Sequence, residues 1–357
     1  MGNSLGKNLI ITSFGESHGT HVGIVLDGFP SNFAIDFTQI QHELDRRKPG
    51  QSNLSSERKE DDIPIFVSGI FEGKTTGAPI CILIENKNQN SQDYSELKNL
   101  YRPSHADKVY DQKYINRDYR GGGRSSARIT APWVAAGALA KQFLLKYYQI
   151  NIQSVVNRVK HIGIEDVFML SDWSNAQTNT IKCPDSMLAL KMIELIDSAK
   201  IAGDTVGGTI ATRISNCPIG IGEPVFDKLN ADLSKAMFSI NATKGIEFGD
   251  GFGGTYKYGS ERNDAPDKNT NNEGGIIAGI SNGNNIEFTT AFKPVSSIKI
   301  TQRMENQSNE IINHQIQGRH DPCVLPRAIP IVESLSAIVI LDHIFSNLKK
   351  HTKMTKI

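Results

Sequence analysis

The chain has 357 residues, which allows two or three domains or one large unit that mixes helices and strands. Hydrophobic residues make up 38% and charged residues 22% of it, a composition that excludes a wholly disordered protein. The 39 Lys and Arg residues nearly balance the 38 Asp and Glu residues. We therefore expect neither a nucleic-acid nor a membrane partner, and phosphate recognition would depend on local clusters of Arg, Lys and Gly.

The sequence also contains information on membrane spans, secretion signals and cysteine pairs. No uninterrupted apolar run reaches the roughly 20 residues that span a bilayer, and the first ten residues lack the pattern of a secretory signal. The four cysteines, Cys81, Cys183, Cys217 and Cys323, are scattered and form no CxxC motif. These features predict a cytoplasmic protein with free, structural thiols and no metal site.

Hydrophobic periodicity predicts alternating strands and helices along the chain. Strands are expected at 9–14, 22–26, 63–70, 79–84, 206–214 and within 275–292. Helices are expected at 37–47, 132–148, 225–237 and 331–348, the last opened by Pro330. The polar stretch 85–120 is interpreted as a functional or mobile loop, and 259–274 as a flexible excursion.

A weak internal repeat accompanies these elements. Val22-Gly23 and Val206-Gly207 each begin a strand, and each strand is followed by a proline-containing loop and an amphipathic helix. The repeat indicates either two related β-loop-α halves within one domain or a chance similarity.

The first motif that could carry chemistry is GESHG at 15–19. Its spacing is that of the nucleophile elbow of α/β hydrolases, with Ser17 as the nucleophile, but the following segment is broken by Gly and Pro and is not helical. This context argues against a hydrolase. The motif is then either a tight turn with a capping serine or a turn that presents the imidazole of His18 for proton transfer.

Two more motifs combine cations with acid–base groups. In RPSHAD at 102–107, Arg102 offers a fork for an anion and His105 a second acid or base, unless the segment is an ordinary exposed loop. GRHDPCVLPR at 318–327 gathers Arg, His and Asp beside prolines, which indicates either a fixed polar site or a surface salt bridge before a helix.

An anion site is predicted at GGGRSSAR, residues 121–128. Three glycines expose backbone N–H groups there, and two hydroxyls and two guanidiniums add donors ahead of a helix. The alternative is a flexible glycine hinge.

Two further segments carry cations. KPVSS at 293–297 supplies a cation and two hydroxyls. DRRK at 45–48 is either a phosphate patch or a run of cations favoured at a helix C-terminus.

Together these motifs resemble those of the chorismate synthases. The matching segments follow the family's order over nearly the whole chain: FGESHG, DRRKPG, SQDYS, RPSHAD, DYRGGGRSSAR, VAAGA, KPVSS and GRHDPCVLPRAIP. The resemblance implies an α+β fold, a β-α-β sandwich of two antiparallel sheets flanked by helices and internally pseudo-symmetric. It implies one domain over residues 1–350, followed by a short tail at 351–357.

The resemblance also implies an activity. The family eliminates phosphate and the C6 hydrogen of 5-enolpyruvylshikimate 3-phosphate in an anti-1,4 sense, which gives chorismate at the last common step of the shikimate pathway to aromatic amino acids. Reduced FMN is required without net redox change. A cytosolic homotetramer is implied. NADPH is an indirect reductant to consider, and the lack of an obvious reductase domain favours an external flavin reductase as a partner.

Family roles carried onto matching positions give the expected site. His18 would be the acid near the leaving phosphate, His105 would act near flavin N1, and Asp321, assisted by Ser17, near flavin N5. The expected FMN contacts are Arg124, Ser125, Ser126, Asn241, Ala242, Ala278, Lys293, Pro294, Val295, Ser296, Ser297 and Arg319. The expected substrate or NADP contacts are Arg47, Asn53 and Arg128.

Four positions depart from the family pattern. Asn53 and Trp133 stand where Arg is usual, Ile129 where Glu is usual, and Ala278 where Gly is usual. We expect these departures to change affinity more than the type of reaction. Two other classes of function provide the contrast: a serine hydrolase that uses Ser17, and a non-catalytic phosphate-binding protein that would tolerate the loss of both His18 and His105.

Overall fold

The computed structural model describes residues 2–50, 60–87, 98–268, 270–316 and 321–348. Within these ranges the strands are β1 (Ser4–Leu5), β2 (Ile10–Gly15), β3 (His21–Asp27), β4 (Pro64–Ser68), β5 (Ile70–Phe71), β6 (Lys74–Thr75), β7 (Ile80–Glu85), β8 (Leu100–Tyr101), β9 (Asn151–Val159), β10 (Ile162–Gly163), β11 (Gly208–Ser215), β12 (Thr243–Phe248), β13 (Ile276–Ile277), β14 (Ile280–Ser281), β15 (Ile286–Phe292), β16 (Gln302–Asn306) and β17 (Ile311–His314). The α-helices are α1 (Phe37–Arg47), α2 (Asp107–Tyr114), α3 (Thr130–Tyr148), α4 (Ser186–Ile201), α5 (Leu229–Phe238), α6 (Gly259–Arg262) and α7 (Leu325–Leu348).

Two antiparallel sheets contain most of these strands. The first has the order β1-β2-β3-β7-β4 and the second the order β10-β9-β11-β15-β12. Alternate buried residues of β3 face alternate buried residues of β7: Val22 opposite Ile84, Ile24 opposite Ile82, and Leu26 opposite Ile80. A slip of one residue would turn all of these side chains away from the core, so burial fixes the register.

Long helices pack against both sheets and against each other. α3 contacts β3 and β7 of the first sheet, α7 contacts β9 and β11 of the second, and α3 also contacts α7. At this helix–helix contact, a Cβ on Gly137 would lie 2.2 Å from the Cβ of Ser334, so only glycine permits the approach. One continuous cluster of buried apolar side chains runs from Leu9 to Ile344.

Helix α7 is long and apolar enough to cross a membrane, judged by length and composition. Its apolar stretch is nevertheless buried inside the protein, which is also the property of a core helix. The helix is apolar on all sides because it packs against α1, α3, α5 and the second sheet.

Several predicted elements agree with the structure and others need correction. The helix predicted at 37–47 is α1, which Asp36 caps by accepting a hydrogen bond from Gln39 N at 3.0 Å. The helix predicted from 225 begins only at Leu229, and Val225 is exposed. Helix α7 begins at Leu325, so Pro330 lies inside it rather than opening it. Burial of the first turn outweighs the hydrogen bond that proline cannot donate.

Two polar segments are more structured than expected. The stretch 85–120 contains β8 and α2, although residues 88–97 lie outside the described ranges. Residues 259–262 of the predicted flexible excursion form α6, and Arg262 pairs with Asp250 at 3.1 Å and with Glu273. Helix α4, capped by Asp185, was not predicted. The fold is therefore of mixed helix and antiparallel sheet, in agreement with the α+β class.

Candidate functional site

The GESHG motif forms the connection between β2 and β3. β2 ends at Gly15, which has φ +83° and where a Cβ would lie 2.4 Å from the carbonyl oxygen of His21. Gly19 N donates to Glu16 O at 3.1 Å and closes a turn that contains Ser17 and His18, both buried. The chain then continues directly into β3. Because a strand rather than a helix follows Ser17, the context of a nucleophile elbow is absent.

The triple-glycine loop covers this turn. A Cβ on Gly121 would lie 2.5 Å from Nε2 of His18 and 3.1 Å from Oγ of Ser17, so the two loops are in direct contact. The Ser17 hydroxyl is buried and has no hydrogen-bond partner among the described residues. Since buried polar atoms are nearly always satisfied, this hydroxyl remains available to a ligand or a water.

Arg124 ties the glycine loop to the end of β2. Its guanidinium donates to Gly15 O at 3.1 Å, to Ser13 O at 2.9 Å and to Ser13 Oγ at 3.2 Å. The indole of Trp133 donates to the same Ser13 hydroxyl at 2.9 Å. Burial lowers the pKa of Arg124. The departure at position 133 thus contributes to the same local network as the predicted flavin-binding arginine.

His105 is oriented by a buried ion pair. Arg102 donates to both carboxylate oxygens of Asp107 at 2.8 Å, and Nδ1 of His105 lies 3.2 Å from Asp107 Oδ1. Burial opposes ionisation of Asp107, but hydrogen bonds from Arg102 and His105 outweigh it and hold the pKa of this carboxyl well below its usual range. A permanent carboxylate beside the imidazole is the usual way to fix a histidine for proton transfer.

The KPVSS segment lies against the loop that carries His105. Lys293 Nζ and Ser296 Oγ each donate to Ser104 O at 3.0 Å. Val295 O accepts a hydrogen bond from Thr205 at 2.8 Å, and Ser297 is buried. Desolvation lowers the pKa of Lys293.

Asn241 and Ala242 connect this segment to the glycine loop. The side-chain amide of Asn241 donates to Ser125 O at 2.5 Å, and Ala242 O accepts from Lys293 N at 2.9 Å. Ser125 Oγ donates to Gly122 O at 2.6 Å, and Ser126 Oγ accepts from Arg128 N at 3.2 Å. The structure therefore brings GGGRSS, Asn241-Ala242, KPVSS and RPSHAD into one contiguous region.

A cavity of about 780 Å³ opens beside this region. Its wall includes Glu16 of the first motif, Asp107 of RPSHAD, and Gly121 to Ser125 of the glycine loop, together with Tyr110 and Tyr114. His18 and Ser17 lie behind the wall, against Gly121. The volume is within the range that binds cofactors and small substrates.

A second, buried network surrounds Asp62. Its carboxylate accepts hydrogen bonds from Arg47 at 3.0 Å and from Arg128. Arg47 also donates to Ala127 O at 3.1 Å, and Arg128 also donates to Asn86 Oδ1 at 2.7 Å and to Glu85 O at 2.9 Å. Burial lowers the pKa of Arg47 to about 10, although Asp62 opposes the shift. The Asp62 carboxyl has a lowered pKa because its two arginines outweigh burial.

Asp321 joins this second network through Arg327. The Arg327 guanidinium pairs with Asp321 and donates to Arg47 O at 3.1 Å. Polar contacts therefore connect Asp321, through Arg327, Arg47, Asp62 and Arg128, to Asn86 beside the His18 turn.

Among the described residues, one predicted site residue, Ala278, joins neither group. Ala278 has φ +54° in the turn between β13 and β14 and does not line the cavity. Asn53 and Arg319 lie outside the described residues. Pro294 follows Lys293 within the KPVSS segment.

The sequence motifs did not point to Asn86, Asp62 or Asp118 as site residues. Asp118 lines the cavity, and its carboxyl pKa is lowered mainly by hydrogen bonds from Arg120 and also by the charge of His18. The available signals were weak: Asn86 immediately follows β7, and Asp118 lies three residues before Gly121 of the glycine loop.

The chain is similar to known proteins along nearly its whole length. The sequence profile described as "Chorismate synthase" matches residues 9–345. The chain belongs to the chorismate synthase family. The chorismate synthase of Flavobacterium psychrophilum is 53% identical over 350 residues, covering 97% of this chain and 98% of that one. The enzyme of Cytophaga hutchinsonii is 50% identical over 355 residues, covering 97% and 98%.

A solved structure titled "Crystal Structure of Chorismate Synthase" is similar along nearly the whole chain. It covers 96% of this chain and 93% of its own, with 28% sequence identity and a TM-score of 0.74. Membership makes this chain an enzyme, a lyase of amino-acid biosynthesis that acts on a small molecule, and the family implies a flavin cofactor.

Proposed function

We propose that this chain converts 5-enolpyruvylshikimate 3-phosphate to chorismate by anti-1,4-elimination of phosphate and the C6 hydrogen, with reduced FMN. The observation that carries the proposal is the cavity whose wall combines the first motif, RPSHAD and the triple-glycine loop, with His18 and Ser17 directly behind Gly121. Motifs about 100 residues apart in sequence thereby form one binding surface.

The residues of this surface fit a flavin mononucleotide. The cavity volume of about 780 Å³ is large enough for a cofactor and a small substrate. The buried Ser17 Oγ and Asn241 Oδ1 have no hydrogen-bond partners among the described residues, so a ligand can satisfy both. The positive charge of Arg124, the glycine-loop amides and the hydroxyl of Ser126, which accepts from Arg128 N and keeps its own proton to donate, fit the needs of a phosphate.

Reduced FMN, when bound, supplies the electron density that helps the C–O bond to break and the hydrogen to leave. In this proposal His18 donates a proton to the departing phosphate, because phosphate leaves more easily when its charge is neutralised. His105, held by Asp107, holds a proton at flavin N1. Asp321, assisted by Ser17, would hold a proton at flavin N5.

The remaining site residues are proposed on family resemblance and on their positions. Lys293 to Ser297, Asn241, Ala242, Ala278 and Arg319 would complete the FMN site, and Arg47, Asn53 and Arg128 the substrate or NADP site. Arg47 keeps a buried Nε atom without a partner in the described part of the chain, so this atom can make an additional contact.

The finer points of architecture and assembly are proposals as well. We propose that the two sheets form a pseudo-symmetric β-α-β sandwich in one domain over residues 1–350, with a tail at 351–357. The large core cluster, which contains residues of both sheets, supports this. We also propose a cytoplasmic homotetramer without nucleic-acid or membrane partners, whose flavin is reduced by an external reductase, with NADPH as the indirect reductant.

An anaerobic assay with the enolpyruvyl substrate and reduced FMN tests the activity. We expect formation of an ultraviolet-absorbing diene and loss of turnover by roughly 10²-fold or more in His18→Ala. His161→Ala is the matched control, because His161 is exposed in the turn between β9 and β10. An unchanged rate in His18→Ala would remove the proposed role of His18.

The same preparation separates the alternatives. FMN binding without diene formation would favour a non-catalytic binding protein. Covalent labelling of Ser17 by a fluorophosphonate would favour a hydrolase, and we expect no labelling because β3 follows the motif directly.

A further inference from the structure

We propose that Asn86 is a positioning residue that fixes the turn carrying Ser17 and His18. This inference rests on the proposed function of His18. Asn86 directly follows β7 and is buried. Its side-chain NH₂ group donates to Glu16 O at 3.0 Å and to Gly19 O at 2.8 Å, the two carbonyls that flank the Ser17-His18 pair. Its backbone N donates to Thr20 O at 2.9 Å.

The orientation of this amide is determined by Arg128. Nε of Arg128 donates to Asn86 Oδ1 at 2.7 Å, so the oxygen of the amide faces the guanidinium and its NH₂ group faces the turn. Arg128 is itself buried and is held by Asp62 and by Glu85 O at 2.9 Å. A fixed cation therefore determines which end of the amide meets the turn.

An amide is the group that this position requires. The amide offers two N–H donors to the two carbonyl oxygens and one acceptor to the guanidinium, so one asparagine serves all three partners. A carboxylate would still accept from Arg128, but its second oxygen would face two carbonyl oxygens without a donor. Aspartate at position 86 would therefore still pair with Arg128 but would no longer donate hydrogen bonds to the turn.

The turn is constrained from the opposite side by the glycine loop. Gly121 leaves no room for a Cβ beside the imidazole of His18. The imidazole of His18 thus contacts the glycine loop, and the turn that carries it is anchored by Asn86. Misplacement of an acid by about 1 Å can cost on the order of 100-fold in rate, so an anchor at this point would affect turnover more than binding.

The test compares Asn86→Asp with Asn347→Asp. Asn347 is also buried and donates to a backbone carbonyl, Gly220 O, at 2.6 Å, but lies near the end of α7 outside the proposed site. We expect Asn86→Asp to lower kcat roughly 10- to 100-fold with KM changed less than about 3-fold. We expect Asn347→Asp to keep the kcat of the wild type. Asn86→Ala, which removes the donors without adding charge, provides the same comparison if the aspartate variant does not fold.

A double-mutant cycle with His18→Ala distinguishes positioning from a structural role. If Asn86 acts through His18, its substitution costs little further activity once the imidazole is gone. Equal losses in the presence and absence of His18 would overturn the inference, and so would a wild-type kcat in both Asn86 variants.

Hydrogen exchange gives a readout that is independent of the proposed reaction. We expect the amides of residues 17–20 to exchange faster in Asn86→Asp than in the wild type, and unchanged exchange there would contradict the anchor. An inactive wild-type enzyme would contradict the proposed function instead, while this exchange measurement would still test whether Asn86 holds the turn.

Discussion

Gly121 touches the imidazole of His18 so closely that position 121 admits no side chain. A Cβ there would lie 2.3 Å from Cδ2 and 2.5 Å from Nε2 of that ring. The first glycine of the loop thus does more than contribute to the proposed anion site. It also lets the loop lie directly on the proposed acid and places it at the cavity wall.

Replacement of this glycine should lower turnover and also reduce stability. In Gly121→Ala the atoms that must move belong to the His18 ring, so we expect at most about 1–3 kcal/mol of destabilisation and a loss of turnover of roughly 10-fold or more. Turnover and thermal unfolding are measured together. Gly253→Ala is the control, because a Cβ at that position meets no atom within 4 Å. Full activity in Gly121→Ala would contradict the proposed role of the His18 ring position.

The unsatisfied hydroxyl of Ser17 predicts a loss of activity without a loss of stability. Removal of a buried hydroxyl without a protein partner should leave the free energy of unfolding unchanged or raise it by up to about 1 kcal/mol. If the hydroxyl assists the reaction, Ser17→Ala should still lose activity, by about tenfold. Ser334→Ala is a matched control, since Ser334 Oγ is also buried without a hydrogen-bond partner among the described residues. Equal activity of the Ser17→Ala and Ser334→Ala enzymes would show that Ser17 takes no part in the reaction.

The sequence predicted the site motifs better than it predicted their connections. GESHG, RPSHAD and GGGRSSAR are dense in Gly, His and Arg, so their chemistry is visible residue by residue. Asn86 and Asp62 are single polar residues that border strands or loops. Their importance comes from tertiary contacts with Arg128 and Arg47, which no local pattern records. The early start of α7 was missed for a similar reason, because burial overrides the local preference of Pro330.

A buried charge cluster between the helices should be important for stability. Glu333 accepts from Arg46 at 2.7 Å, from Lys141 at 2.9 Å and from Ser154 N at 3.0 Å, and it is almost fully buried. Glu333→Gln leaves two buried cations with less compensation, so we expect a loss of about 3–5 kcal/mol in urea unfolding. Glu305→Gln breaks a more exposed pair with Lys108 and should cost less than about 1 kcal/mol. Similar losses of unfolding free energy in Glu333→Gln and Glu305→Gln would contradict the special importance of the buried cluster.

The same glutamate predicts acid sensitivity. Burial opposes its ionisation, but Arg46 and Lys141 outweigh burial and hold the pKa of Glu333 below the ordinary value of 4.5, at about 2. The unfolded chain binds the proton more readily, so this stabilisation is present above pH 4.5 and is lost as the pH falls towards 2. Melting temperatures measured across that window should fall more steeply for the wild type than for Glu333→Gln. Parallel curves would show that the cluster does not titrate in this way.

The central claim is that one cavity binds a reduced flavin and an anionic ester for an elimination without net oxidation. Its most direct measurement is an anaerobic reaction with substrate in large excess over reduced FMN, in which phosphate, diene product and flavin redox state are followed together. We expect phosphate and product in equal amounts, many turnovers per flavin, and a flavin that ends the reaction reduced. Consumption of one reduced flavin per product, or phosphate release without the diene, would contradict the account.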